Sequence, residues 1–134
     1  MTFVGLDLGT SGLKGILIDE GQAILAEATA PLSVSRPHDG WSEQDPADWL
    51  AACEAVMAGL AARADLSGVR GIGLSGQMHG ATLLDAAHRV LRPCILWNDT
   101  RSHAEAAALD ADPRFRAVTG NIVFPGFTAP KLMW

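Results

Sequence analysis

The stretch FVGLDLGTSGLKGILID gathers Asp7, Gly9, Thr10, Ser11, Gly12 and Lys14: one carboxylate, two hydroxyls, one ammonium and two glycines. Such a set suits phosphate chemistry. A Walker A loop needs G-x-x-x-x-G-K-[ST], and here Lys14 follows Leu13 and precedes Gly15, so that match fails. A dinucleotide fingerprint needs a helix after its glycines, whereas a second apolar run follows here. What remains is a hairpin turn whose backbone N–H groups, freed by Gly9 and Gly12, converge on an anion. Thr10 and Ser11 add hydroxyl donors, and Lys14 adds a charge within reach of a phosphate. Asp7, at the end of a strand, would hold a magnesium ion through water, the mode that ion prefers, and no residue is assigned as a direct metal ligand. An ordinary hairpin with glycines for its turn accounts for the pattern equally well.

A second group is Gln77-Met78-His79-Gly80. A histidine between glycines at a strand exit lies where ligands bind, and a neutral imidazole both donates and accepts, which suits a polyhydroxylated ligand. Met78 offers an adaptable apolar wall. The competing reading is a histidine that merely satisfies its own polar groups. Trp97-Asn98-Asp99-Thr100-Arg101 carries an aromatic, an amide, an acid and a guanidinium fit for a sugar site. The simpler account packs Trp97 in the core and lets Asp99 cap a helix, leaving Arg101 open. His38, His88 and His103 lack metal-ligand spacing and read as surface residues.

Gly71-Ile72-Gly73-Leu74-Ser75-Gly76 satisfies G-x-G-x-x-G, but Ile72 and Leu74 read as the strand itself and a loop follows, so a dinucleotide site is rejected. Gln77 in place of the last glycine of G-x-S-x-G also excludes a hydrolase elbow.

The elements that must position these groups follow from apolar spacing and turn residues. Residues 3–8, 14–19 and 23–31 read as strands of an antiparallel meander. Pro46, after an acid and before Asp48, opens an amphipathic helix to about Arg63, with Trp49, Cys53, Val56, Met57 and Leu60 on its apolar side. Residues 69–75 and 81–84 read as strands, 85–88 as a turn and 94–97 as a short strand. A helix capped by Asp99 or Thr100 runs to Leu109. Asp112-Pro113 starts another helix, and Ala129-Pro130 a third. The order is not the strict alternation of a doubly wound sheet, so a mixed sheet with flanking helices is expected.

The chain has 134 residues, 49 % hydrophobic and 19 % charged, with a net charge of -5. That is one domain's worth of core, with a composition unlike that of an intrinsically disordered chain. Its ten Lys and Arg are scattered, so nucleic acid is not an expected partner. No apolar stretch is long enough to span a membrane, and Asp7 interrupts what would be a signal-peptide core. Cys53 and Cys94 read as reduced thiols of a cytoplasmic protein.

Together DLGTSGLK, SRPHDGWSEQDPADW, GQMHGATLLD, RPCILWNDTR and TGNIVFPGFTAPKLMW resemble the xylulose kinases of the FGGY carbohydrate kinase family, in order and over nearly the whole chain. The first motif is shared with the wider sugar-kinase, actin and heat-shock ATPase superfamily. GQMHG and WSEQDP are more specific. The resemblance implies an α/β, ribonuclease-H-like fold of the actin/hexokinase type, and transfer of the γ-phosphoryl of ATP, with Mg2+, to D-xylulose. It implies that Asp7 assists catalysis, that Gly9, Thr10, Ser11 and Lys14 face the ATP phosphates, and that Met78 and His79 contact the sugar. A kinase for another ketopentose or polyol, or a non-catalytic ATP-binding module of the same superfamily, are the alternatives.

Members of that family are several times longer, and their general base, an aspartate in a glycine-rich motif, falls beyond Trp134. Ending one turn into an apolar helix, the sequence reads as a truncated N-terminal sugar-kinase domain, with the second domain absent. The 134-residue chain alone is therefore expected to be inactive. The apolar surface left by such a cut favours self-association into a homo-oligomer or partial disorder.

Overall fold

A computed structural model describes all of residues 1–134. The elements run β1 (Thr2–Leu8), β2 (Gly12–Asp19), β3 (Ile24–Pro31), β4 (Glu43–Gln44), α1 (Pro46–Ala61), β5 (Val69–Gly76), β6 (Cys94–Ile95), α2 (His103–Asp110), α3 (Pro113–Thr119) and α4 (Thr128–Met133). They divide into two units, Met1–Ser33 with Ala47–Gln77, and Val34–Pro46 with Met78–Trp134.

The first unit is a four-stranded mixed sheet in the order β3-β2-β1-β5. The expected meander is present, since β1 pairs antiparallel with β2, and β2 with β3. β5 joins β1 in parallel, which requires a crossover, and α1 provides it. The apolar residues of α1 recur at helical spacing, so Ala52, Val56 and Leu60 meet Val4, Leu6, Leu13, Leu17, Ala26 and Ala30 in one core. Val56 and Leu60 are fully buried, each worth about 1.5–3 kcal/mol relative to exposure. Helix and sheet approach closely at Gly15, where a Cβ would lie 2.3 Å from Val56 Cγ1. Past Ala61 the helix is finished by Arg63, whose Nη1 donates to the Gly59 carbonyl at 2.6 Å. At the sheet edge, Ile72 and Leu74 pair with Val4 and Leu6 yet remain exposed.

The second unit contains the short antiparallel pair β4–β6 and three helices. As expected, α3 opens at Asp112-Pro113; Asp112 caps it, accepting from the Arg114 amide, and Gly120 takes the left-handed conformation after its end. Four expectations are corrected. Residues 81–84 form no strand: Ala81 and Leu84 make only isolated bridges, to Ile95 and Val90. The strand expected over 94–97 stops at Ile95. Trp97 does not pack in the core but is 45 % exposed. Neither Asp99 nor Thr100 caps a helix: α2 starts at His103 after Ser102, whose side chain makes no capping bond.

Asp99 is instead the centre of a buried ionic cluster. It accepts from the Arg101 amide at 2.9 Å, from Arg101 Nη2 at 2.6 Å and from the Ser42 amide at 2.6 Å. Arg101 Nη1 also donates to Glu43 at 2.6 Å, and its guanidinium lies 3.7 Å from the centre of the Trp41 ring. Burial alone would raise the Asp99 pKa, but the hydrogen bonds from Arg101 and from the Arg101 and Ser42 amides together hold it below its ordinary value. The loop ends on either side of β4 and β6 are thereby tied by charge rather than by strand length.

Candidate functional site

In the first unit the candidate residues surround the β1–β2 hairpin. Asp7 and Lys14 are direct cross-strand partners, and Ser75 of β5 pairs with Asp7 from the other side, so all three side chains share one face. They line a shallow cavity of about 470 Å³ together with Gly5 and Gly73. A Cβ at Gly73 would meet open space, so that glycine leaves bare backbone beside the carboxylate rather than relieving a clash. Asp7 and Lys14 are both exposed, and Lys14 Nζ rests 2.9 Å from Glu27.

The turn itself is narrow. The Gly9 amide donates to the Gly12 carbonyl at 2.9 Å, and the Leu32 amide to the Ser11 carbonyl at 3.0 Å. A Cβ on Gly12 would fall 2.8 Å from the Ala30 carbonyl oxygen, so this position demands glycine. The Thr10 hydroxyl donates to Gln77 Oε1 at 3.0 Å, and the Gln77 amide donates to the Leu8 carbonyl at 2.8 Å. Gly9, Thr10 and Ser11 thus form a braced loop of small polar residues beside one carboxylate and one ammonium. This set fits a polyphosphate with a hydrated divalent cation: the Ser11 hydroxyl and an ammonium for phosphate oxygens, and a single exposed carboxylate for metal-bound water.

In the second unit, Met78 is 56 % exposed and His79 is also exposed. His79 has φ 62°, the left-handed region that non-glycine residues seldom occupy. Its ring packs against Phe127 at 4.6 Å between centroids. Its carbonyl accepts from Lys131 Nζ at 2.7 Å and from the Thr128 hydroxyl at 3.3 Å. Gly126 is forced by a close approach, since a Cβ there would sit 2.2 Å from the Trp97 carbonyl oxygen.

Asp7, Gly9, Thr10, Ser11 and Lys14 therefore share the hairpin of one unit, and Met78 with His79 occupies a loop of the other. The sequence reading passed over Ser75, Gln77 as a brace, and Lys131. Ser75 had a signal, because a glycine-rich strand after a helix invites a parallel pairing with β1. Lys131 had none, since a lysine near a helix end reads as solvated.

The model of the FGGY family of carbohydrate kinases, N-terminal domain, matches residues 2–134. A xylulose kinase of Escherichia coli (strain K12) is 53 % identical over 133 residues, covering 98 % of this chain and 28 % of that protein. Among solved structures, a xyloylose kinase from Brucella ovis superposes with a TM-score of 0.98 at 67 % identity, over 100 % of this chain and 29 % of that one. A xylulose kinase from Rhodospirillum rubrum superposes with a TM-score of 0.92 at 37 % identity, over 100 % of this chain and 28 % of that one. The chain thus spans between a quarter and a third of the length of these relatives.

Proposed function

We propose that this chain, which belongs to the FGGY family of carbohydrate kinases through its N-terminal domain, forms part of an enzyme that transfers the γ-phosphoryl of ATP to D-xylulose, giving D-xylulose 5-phosphate. The observation that carries this reading is the whole-chain identity of 53 % to a xylulose kinase. The braced hairpin with Asp7 and Lys14 on one sheet face supports it.

In this reading the turn at Gly9, Thr10 and Ser11 faces the phosphates of ATP, with the Ser11 hydroxyl donating to their oxygens, and Lys14 leaves Glu27 to neutralise charge on them. Their pairing is exposed on both sides, so solvent screens it and the exchange costs little. Asp7 would hold a magnesium ion through water, and the ion when bound would spread the negative charge of the transferring phosphoryl group. Met78 forms an apolar wall for the sugar, and His79 hydrogen-bonds one of its hydroxyls. Such a transfer rests on positioning and charge stabilisation, so no nucleophilic side chain is required of this domain.

In this reading these 134 residues, which match 28 % of the length of the xylulose kinase from Escherichia coli, contribute the phosphate and sugar contacts of the reaction. No helix here is long and apolar enough to cross a membrane. The test is the rate of ADP formation by the full-length protein with D-xylulose, ribulose or glycerol as acceptor. A clear preference for D-xylulose supports the reading, and a preference for either of the others replaces the substrate.

A further inference from the structure

Lys131 of α4 is only 4 % exposed. Its ammonium donates to the carbonyls of His79 and Gly126, both at 2.7 Å. Asp99, close enough to bias it electrostatically, is itself engaged by Arg101. A buried ammonium held by backbone carbonyls rather than a carboxylate is an expensive arrangement. Burial lowers its pKa to about 8, with Cys94 and Asp99 opposing that shift and Arg101 adding to it.

What the ammonium holds is one of the two strained non-glycine residues of the second unit, the other being His88. His79 sits at φ 62°, and a non-glycine residue stays there only when its surroundings fix it. The Lys131 bond pins the carbonyl on one side of that residue, and Phe127 packs against its ring on the other. Released from the clamp, the backbone would relax toward a more populated basin and swing the imidazole with it.

We propose that Lys131 is a positioning residue for the sugar-binding loop: by clamping the His79 and Gly126 carbonyls it fixes the direction in which the His79 imidazole is presented to substrate. The inference rests on the reading of His79 as a sugar contact. The clamp is not a pH switch, because a neutral amine still has two N–H groups for the two carbonyls.

The test is a double-mutant cycle in the full-length protein. Lys131→Met should raise KM for D-xylulose on the order of tenfold, below the ~100-fold that a full ångström of misplacement can cost, with KM for ATP unchanged. In a His79→Ala background the same substitution should move the sugar KM by less than about twofold, because the group it positions is gone. Equal rises in both backgrounds, as a general structural role would give, overturn the proposal. So does an unchanged sugar KM in Lys131→Met when His79→Ala alone raises it. If His79→Ala itself leaves the sugar KM unchanged, the sugar-contact reading fails first and the proposal falls with it. Should Lys131→Met not fold, Lys131→Leu, which likewise removes every N–H donor from the side chain, takes its place in the cycle with the same outcomes.

Discussion

The Thr10 hydroxyl donates a 3.0 Å hydrogen bond to the side-chain carbonyl of Gln77, a residue 67 positions along the chain. Because Gln77 also donates its own amide to the Leu8 carbonyl, it braces the hairpin turn from the end of β5. With its proton committed to Gln77, the Thr10 oxygen is held at a fixed angle beside the turn. Replacing Gln77 with methionine removes that acceptor at similar length. We expect a loss of about 1 kcal/mol, the net worth of one hydrogen bond, read as a roughly fivefold rise in KM for ATP in the full-length protein. An unchanged KM would mean that the brace has no part in nucleotide binding.

Lys14 and Glu27 form an exposed pair at 2.9 Å. Lys14→Met should lower kcat/KM for ATP strongly while the thermal midpoint stays in place. Glu27→Gln should leave both activity and midpoint near wild type, because the pair is screened by solvent. Steady-state kinetics and thermal unfolding of the two variants check this contrast. Equal losses of activity would point to the pair as a unit rather than to Lys14.

Gly15 lies where α1 comes closest to the sheet, with a Cβ position 2.3 Å from Val56 Cγ1. The side chain of Val56 is fully buried and has little room to give. Gly15→Ala should therefore destabilise by roughly 1–3 kcal/mol, the usual cost of overpacking. Chemical denaturation would read this as a lower midpoint at unchanged m-value.

Lys131 also predicts a pH dependence of stability. Its pKa falls from 10.5 to about 8, so between those values the unfolded chain binds the proton and the folded one does not. Stability linked to this group therefore rises with pH across that window and is flat below it. At ~1.4 kcal/mol per pH unit the gain is at most roughly 3 kcal/mol. The difference in unfolding free energy between wild type and Lys131→Met, followed from pH 7 to pH 11, isolates it. A difference that does not change with pH would contradict the lowered pKa.

The meander was readable because β1, β2 and β3 carry their own signals, apolar runs punctuated by Gly9–Gly12 and Gly21. α1 was readable from Pro46, Asp48 and the spacing of Val56 and Leu60. The second unit was harder because its order is set by distant partners. The polar run around Glu43–Gln44 becomes β4 only by pairing with Ile95 and Cys94. Asp99 has the local chemistry of a helix cap, but Arg101 and the Ser42 amide claim its carboxylate. For the candidate site, Asp7 and Lys14 could be named from one motif because a hairpin brings near neighbours together. Ser75 and Lys131 owe their positions to a parallel register and a loop contact that no short motif encodes.

The most direct test of the account is xylulose-dependent ADP formation by the full-length protein carrying Asp7→Asn. Asp7 is exposed, so the substitution should leave folding intact. If its carboxylate serves phosphoryl transfer, kcat should fall on the order of 100-fold or more, as when a preorganised electrostatic group is removed, with an unchanged thermal midpoint. A variant that turns over D-xylulose at near wild-type rate would contradict the assignment of the hairpin to the reaction.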